Sequence, residues 1–227
     1  MKIKELKLYT NQLESIKDFY CTTLGFVENS THNEQFSITV GSSKLTFHQS
    51  NAPHVYHYCF LIPSNKLLEA LAWMQKRTFI LEVEENSKIV DFDDWNASSF
   101  YFYDGGGNVV EFIVRYDLKN ESTEEFTLSS LLCVNEIGMP CSNINALNIT
   151  LENKLNTKFW KGDLDRFGTN GTQDGLFLLV NFKVKDTWFP TEVTIVPAPF
   201  EAEIENQGVS YSLIYDSLTV QTKLIEV

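Results

Sequence analysis

The stretch Phe100–Arg115, FYFYDGGGNVVEFIVR, reads as two strands joined by a tight glycine-rich turn, and it sets one carboxylate into an otherwise apolar second strand. Side chains alternate across a strand, so Val109, Glu111 and Ile113 share one face while Val110, Phe112 and Val114 share the other. Apolar residues on both faces imply a strand covered from both sides. Glu111 therefore needs a metal, a cation or a cluster of donors beside it, because an unpaired ion taken out of water costs several kcal/mol.

Upstream, Ile3–Tyr9 alternates as a strand, and Asn11 with Glu14 has the spacing of a capping box. Leu13, Ile16, Phe19, Tyr20 and Leu24 recur at helical intervals, and Gly25 stands where a left-handed cap ends a helix. Strand-like runs follow around Phe26, Phe36–Val40 and Leu45–His48. The order strand, helix, three strands then returns as Val55–Ile62, a helix over Ser64–Lys76 with Leu67, Leu71 and Met74 on one face, and strands near Ile80, Phe100 and Val109.

Asp117–Glu125 is polar and acidic and reads as a linker. Beyond it the order starts a third time, with a strand at Ser129–Ile137 and a helix striped by Ile144, Leu147, Leu151 and Leu155 that Ser142 or Asn143 can cap. Strands are expected at Phe177–Phe182, after a turn at Asp174-Gly175, and at Val193–Val196. Phe200–Tyr215 leaves room for two more strands, so a fourth unit is truncated. There Glu201, Glu203 and Glu205 alternate with Ala202 and Ile204 as a solvated strand face.

The chain has 227 residues and a formal net charge of -12, which disfavours nucleic acid or an anionic membrane as partner. The N-terminus, MKIKELKLYT, threads charges through its apolar residues and reads as neither secretory signal nor membrane span, so a cytoplasmic location is expected. Four scattered cysteines, Cys21, Cys59, Cys133 and Cys141, form no CxxC pair and read as reduced thiols.

Three features coincide: the repeated βαβββ order, the run Phe19-Tyr20-Cys21-Thr22-Thr23-Leu24-Gly25-Phe26 closing the first helix, and Asp104–Phe112 closing the second unit. Together they resemble the vicinal oxygen chelate superfamily, which includes glyoxalase I, bleomycin-resistance proteins, fosfomycin-modifying enzymes and extradiol dioxygenases. The resemblance covers Met1 to about Tyr116. From Ser129 onward it rests on the element order and on Asn135–Pro140, NEIGMP, which looks like the first strand of another unit.

The resemblance implies an α+β fold of repeated βαβββ units forming cup-shaped mixed sheets. The expected division is a paired glyoxalase-like domain over residues 1–118, a linker over 119–128 and a degenerate second domain over 129–227. It further implies a divalent metal (Mn, Zn, Ni or Fe) held by side chains from the first and last strands of two units. Carried over residue by residue, the metal positions fall on Glu111 and His57 in the second unit and on Glu5 in the first. Thr46 stands where the isomerase branch carries a Glu, with His48 two residues on as a stand-in. Glu136 matches the Glu5 position in the second half, with no partner His in view. Glu111 is also the candidate catalytic carboxylate.

One His with two carboxylates is a harder donor set than the two-His-one-carboxylate triad of ferrous dioxygen chemistry, so an isomerase, lyase or transferase is expected ahead of a dioxygenase. Tyr101, Tyr103 and Trp95 are the expected substrate-binding walls. The competing readings are structural: Glu111 paired with a Lys or Arg inside the sheet, His57 and the tyrosines as core, and Glu5 in a surface salt bridge with Lys4 or Lys7. The rival function is a metal-free binding protein like the bleomycin-resistance members. Expected partners are a small-molecule ligand or substrate and a second copy of the chain in a homodimer, with neither nucleic acid nor membrane.

Overall fold

Three times the chain runs strand, helix, three strands, and a fourth time it runs three strands with no helix. The structure, a computed structural model, describes residues 1–32, 34–217 and 219–225. The first unit is β1 (Lys2–Thr10), α1 (Leu13–Lys17, continued by a wide π-type turn over Asp18–Leu24), β2 (Glu28–His32), β3 (Gln35–Val40) and β4 (Ser43–Gln49). The second is β5 (His57–Leu61), α2 (Leu67–Gln75), β6 (Val90–Phe92), β7 (Ala97–Tyr103) and β8 (Val109–Arg115). The third is β9 (Cys133–Cys141), α3 (Ile144–Leu155), β10 (Phe159–Gly162), β11 (Phe167–Thr172) and β12 (Gly175–Asn181). The last is β13 (Phe200–Asn206), β14 (Val209–Tyr215) and β15 (Val220–Leu224).

Local chemistry sets several of these boundaries. Gly25, at φ 91°, closes the first helical segment in the left-handed region, and Asn143 caps α3 by accepting the Ala146 N–H at 2.9 Å. The expected capping box at Asn11 is absent. The chain leaves β1 through a turn in which Thr10 Oγ1 accepts the Gln12 N–H at 2.9 Å, and α1 starts beyond it. Asp104 organises the β7–β8 turn: its carboxylate accepts the N–H groups of Gly106 and Asn108 at 2.9 and 3.0 Å, and the Tyr58 hydroxyl at 2.6 Å.

Three expected strands differ, and β10 and β11 were not expected from the sequence. Ile80 makes a single bridge to Phe102, and Val193–Val196 reduces to one bridge between Thr187 and Thr194. The third unit's first strand begins at Cys133, later than expected, because Thr127 and Ser130 cap each other around a 3-10 turn at Leu128–Ser130. β11, rich in Gly, Asn and Thr, is held as a strand by its ladder to β12 and not by propensity.

The units pair in an order the sequence did not announce. One sheet runs β15-β14-β13-β1-β4-β3-β2 and the other β10-β11-β12-β9-β5-β8-β7-β6. The first unit thus joins the fourth and the second joins the third, so neither cup coincides with residues 1–118 or 129–227. Along this seam β13 lays Glu201 opposite Lys7 and Glu205 opposite Lys2, with Lys7 Nζ 3.1 Å from Glu201, while Glu203 lies opposite Glu5. Leu6, Leu8 and Phe47 of one sheet and Tyr58, Phe60 and Phe112 of the other share the main core with residues of the helices. The far face of the second sheet curls around smaller clusters, one containing Tyr101 and Trp188 and another Cys59 and Ile113. Among the described residues, no helix is long and apolar enough to cross a membrane.

Candidate metal centre

The centre grows from one strand and its two neighbours. β5 pairs with β8 in parallel, placing Cys59 opposite Glu111, and with β9 antiparallel, placing Cys59 opposite Glu136. His57 lies two residues earlier on the same face of β5. One potential ligand atom from each of His57, Glu111 and Glu136 lies within 4.8 Å of the others, and all three residues are buried.

Hydrogen bonds fix how these groups point. His57 Nδ1 donates to the Val109 carbonyl at 3.0 Å, leaving Nε2 facing Glu111 Oε2 at 3.4 Å. Burial pulls the His57 pKa down, but the hydrogen bond to Glu111 and the charges of Glu111 and Glu136 outweigh it and raise the net value. Glu136 is pushed up to about 7, by burial first, with Arg115 opposing and Glu111 adding to the rise. Cys59, between the two carboxylates, is raised well above the usual thiol range by burial and then by their charge.

Arg115 is the fourth charge of the group. On β8 it follows Glu111 and Ile113 on the same face. Its guanidinium hydrogen-bonds Glu136, donates from Nε to Asn135 Oδ1 at 3.0 Å, and lies 5.9 and 5.6 Å from the ring centres of Trp95 and Trp160. Its Nη1 is buried without a partner.

Above the three groups is a cavity of about 450 Å³ with apolar walls that include Trp95, Tyr101, Leu178 and Trp188. Gly138 seats Trp188: a Cβ there would meet the indole Cη2 at 2.5 Å. Trp188 thereby lies 5.2 Å from the His57 ring, with its indole N–H buried and unpartnered. β12, the last strand of the third unit, contributes Leu178 to the wall where the resemblance implies a fourth ligand.

The expected residues divide accordingly. His57 and Glu111 come together, and Trp95 and Tyr101 line the cavity beside them. Glu5 does not join them. It belongs to the other sheet, where it accepts from Thr46 at 2.9 Å and pairs with Lys44 at 3.0 Å, because β1 takes β13 and not β5 as its neighbour. Thr46 and His48 lie on β4 in that same sheet. Tyr103 ends β7 at 36% exposure, outside the cavity wall. Glu136 completes the cluster in place of Glu5. Its position in NEIGMP was visible in the sequence, but not its partner unit. Arg115 was signalled by its spacing of four from Glu111, whereas nothing local marks Trp188 as a wall of this cup.

No protein-family model matches the sequence, and no curated protein matches it at a significant level. Among solved structures, a candidate dioxygenase from Bacillus subtilis is similar with a TM-score of 0.56 and 12% identity, over 94% of this chain and 81% of its own. A lactoylglutathione lyase from Agrobacterium tumefaciens matches with a TM-score of 0.43 and 16% identity, over 52% of this chain and 97% of that one. A glyoxalase/bleomycin resistance/dioxygenase protein from Nocardioides matches with a TM-score of 0.40 and 18% identity, over 55% and 87%. At these identities the likeness is one of fold. The chain thus shares its fold, the α+β arrangement of repeated βαβββ units, with the candidate dioxygenase from Bacillus subtilis.

Proposed function

We propose that this is a divalent-metal-dependent enzyme acting on a small oxygenated substrate, with His57, Glu111 and Glu136 as the protein ligands. The observation that carries the reading is the convergence of the three groups, within 4.8 Å and buried, at the base of a cavity of about 450 Å³. The donor set fits a metal: one imidazole already oriented through Nδ1, and two carboxylates whose mutual repulsion a dication would relieve. A bound dication would serve as a Lewis acid for negative charge developing on substrate oxygens. One nitrogen and two oxygen donors suit Mn or Zn better than the ferrous site of a dioxygenase, so an isomerase, lyase or transferase is the preferred class.

The chain's own part is positioning. Tyr101 and Trp188 flank His57 and offer ring faces to a planar substrate. Glu111, two residues from Val109 on the strand that orients His57, is the carboxylate proposed to move a proton to or from the substrate.

One observation favours a second reading. Arg115 already neutralises Glu136, and a protonated His57 would neutralise Glu111, so the four charges balance with no metal, as a metal-free small-molecule binding protein requires. Metal analysis of protein purified without chelator decides between them, compared with His57→Ala, Glu111→Ala and Glu136→Ala. A stoichiometric dication lost in each variant supports the enzyme; no metal, and no rise in Tm on adding Zn²⁺ or Mn²⁺, supports the binding protein. A homodimer and a cytoplasmic location remain proposals.

A further inference from the structure

The wall of the same cavity carries two cations that no carboxylate pairs with. Arg166 and Lys185 both line it, and among the described residues neither makes a salt bridge. Arg166 is exposed, and Lys185, half-buried, donates only to the backbone carbonyl of Thr187. They feel each other: burial and then the charge of Arg166 lower the Lys185 pKa. Asp163 also lines the cavity: its Oδ1 accepts the N–H groups of Asp165 and Arg166 at 2.8 and 2.6 Å, and its pKa is lowered by the Arg166 backbone hydrogen bond first and in smaller part by the Arg166 charge. Both cations share the cavity lining with Asp163, Glu111 and Glu136, yet neither lies within salt-bridge distance of a carboxylate among the described residues. Two cations with no salt bridge are free to engage an anion that enters the cavity.

The same cavity is also lined by aromatic rings. Trp95, Tyr101, Trp188 and Phe189 line the cavity, and Phe189 packs edge-on against Tyr101 at 5.7 Å between ring centres. Trp188 adds a buried N–H with no partner.

We propose that Arg166 and Lys185 form an anion-recognition site, and that the ligand of this cup is an aromatic carboxylate, its ring against Trp95, Tyr101 and Trp188 and its anionic group held by the two cations. This rests on the cavity being the ligand site of the preceding reading, but not on a metal being present. Both groups are monodentate or forked donors on flexible stems, suited to a carboxylate arriving from solvent. They also raise the local concentration of anionic ligand against the repulsion of the acidic surface.

The test is titration of tryptophan fluorescence with mandelate and with 1-phenyl-1,2-ethanediol, which share a phenyl ring and two vicinal oxygens and differ in charge. It is run on the full chain, both chelator-treated and Zn²⁺-loaded. The expected result in chelator-treated wild type is tighter binding of mandelate by about tenfold or more. In the double variant Arg166→Gln/Lys185→Gln the preference should fall to about threefold or less. Arg166→Gln alone, at an exposed side chain with no bond of its own, should lower it partway without changing Tm. No saturable response to mandelate, or a preference that survives in the double variant, overturns the proposal. A Zn²⁺-induced rise in Tm beside an absent charge preference would leave the metal reading standing and sink this one. A charge preference lost in the double variant, with no Zn²⁺ effect, would do the reverse.

Discussion

Arg115 and Glu136 form an ion pair with side chains only 0% and 2% exposed, at the junction of the second and third units. Two desolvated charges hold each other there, so removing one strands the other. Arg115→Met should cost about 3–5 kcal/mol in urea unfolding of the metal-free protein. The double variant Arg115→Met/Glu136→Leu should recover a substantial part, because an apolar pair of similar volume escapes the desolvation penalty. Zn²⁺ should reduce the cost of Arg115→Met by giving Glu136 another cation. A loss below about 0.5 kcal/mol would mean that Glu136 is neutral or solvated in the fold.

Glu5 and Glu136 occupy corresponding places in different cups, and they should respond oppositely to metal. Glu136→Gln should abolish or sharply reduce the Zn²⁺-induced rise in Tm, while Glu5→Gln should leave it unchanged. Glu5 bonds only Lys44 and Thr46 on a half-exposed sheet face, so its replacement should alter stability by about 1 kcal/mol or less. Equal loss of the Zn²⁺ response in both variants would contradict the pairing of the sheets.

The contrast between these two glutamates also marks what the sequence could reveal. The hairpin around Glu111, the helix closing at Gly25 and the repeat of element order are local, and each was legible from periodicity and turn chemistry. Which unit pairs with which is a property of strand edges far apart in the chain. His57 and Glu111 belong to one unit, in adjacent parallel strands, so reading that unit alone united them. Glu136 reaches them only through the β5–β9 ladder, where it pairs with Cys59, 77 residues earlier in the sequence. Trp188 was hidden for a related reason, as it enters the cup from an irregular loop, and the small residue that admits it, Gly138, lies on another element.

That seat provides the next expectation. Gly138→Ala places a Cβ 2.5 Å from Trp188 Cη2, so the indole must shift. Overpacking of this kind should cost about 1–3 kcal/mol and change the tryptophan emission and its accessibility to acrylamide. The metal response should persist, since Gly138 supplies no ligand. Unchanged emission and stability would show that the wall yields without displacement of the ring.

The charges of the centre also set a pH dependence. Both His57 and Glu136 have folded pKa values raised above their ordinary ones, Glu136 from 4.5 to about 7, so the metal-free native state binds more protons than the unfolded chain across the interval between. Stability therefore declines as pH rises. The contribution of Glu136 is fully present below its unfolded pKa and is lost through about 7, and that of His57 is present below 6.5 and is lost above its raised value. Chelator-treated protein should accordingly lose Tm from about pH 5 to about pH 8, and Glu136→Gln should flatten that slope relative to wild type. Metal loading should work the other way. Both ligands must shed protons to bind a dication, so the Zn²⁺-induced rise in Tm should grow with pH over the same range. A wild-type slope no steeper than that of Glu136→Gln would show that this carboxyl titrates at an ordinary value and that no proton need leave it for a metal to bind.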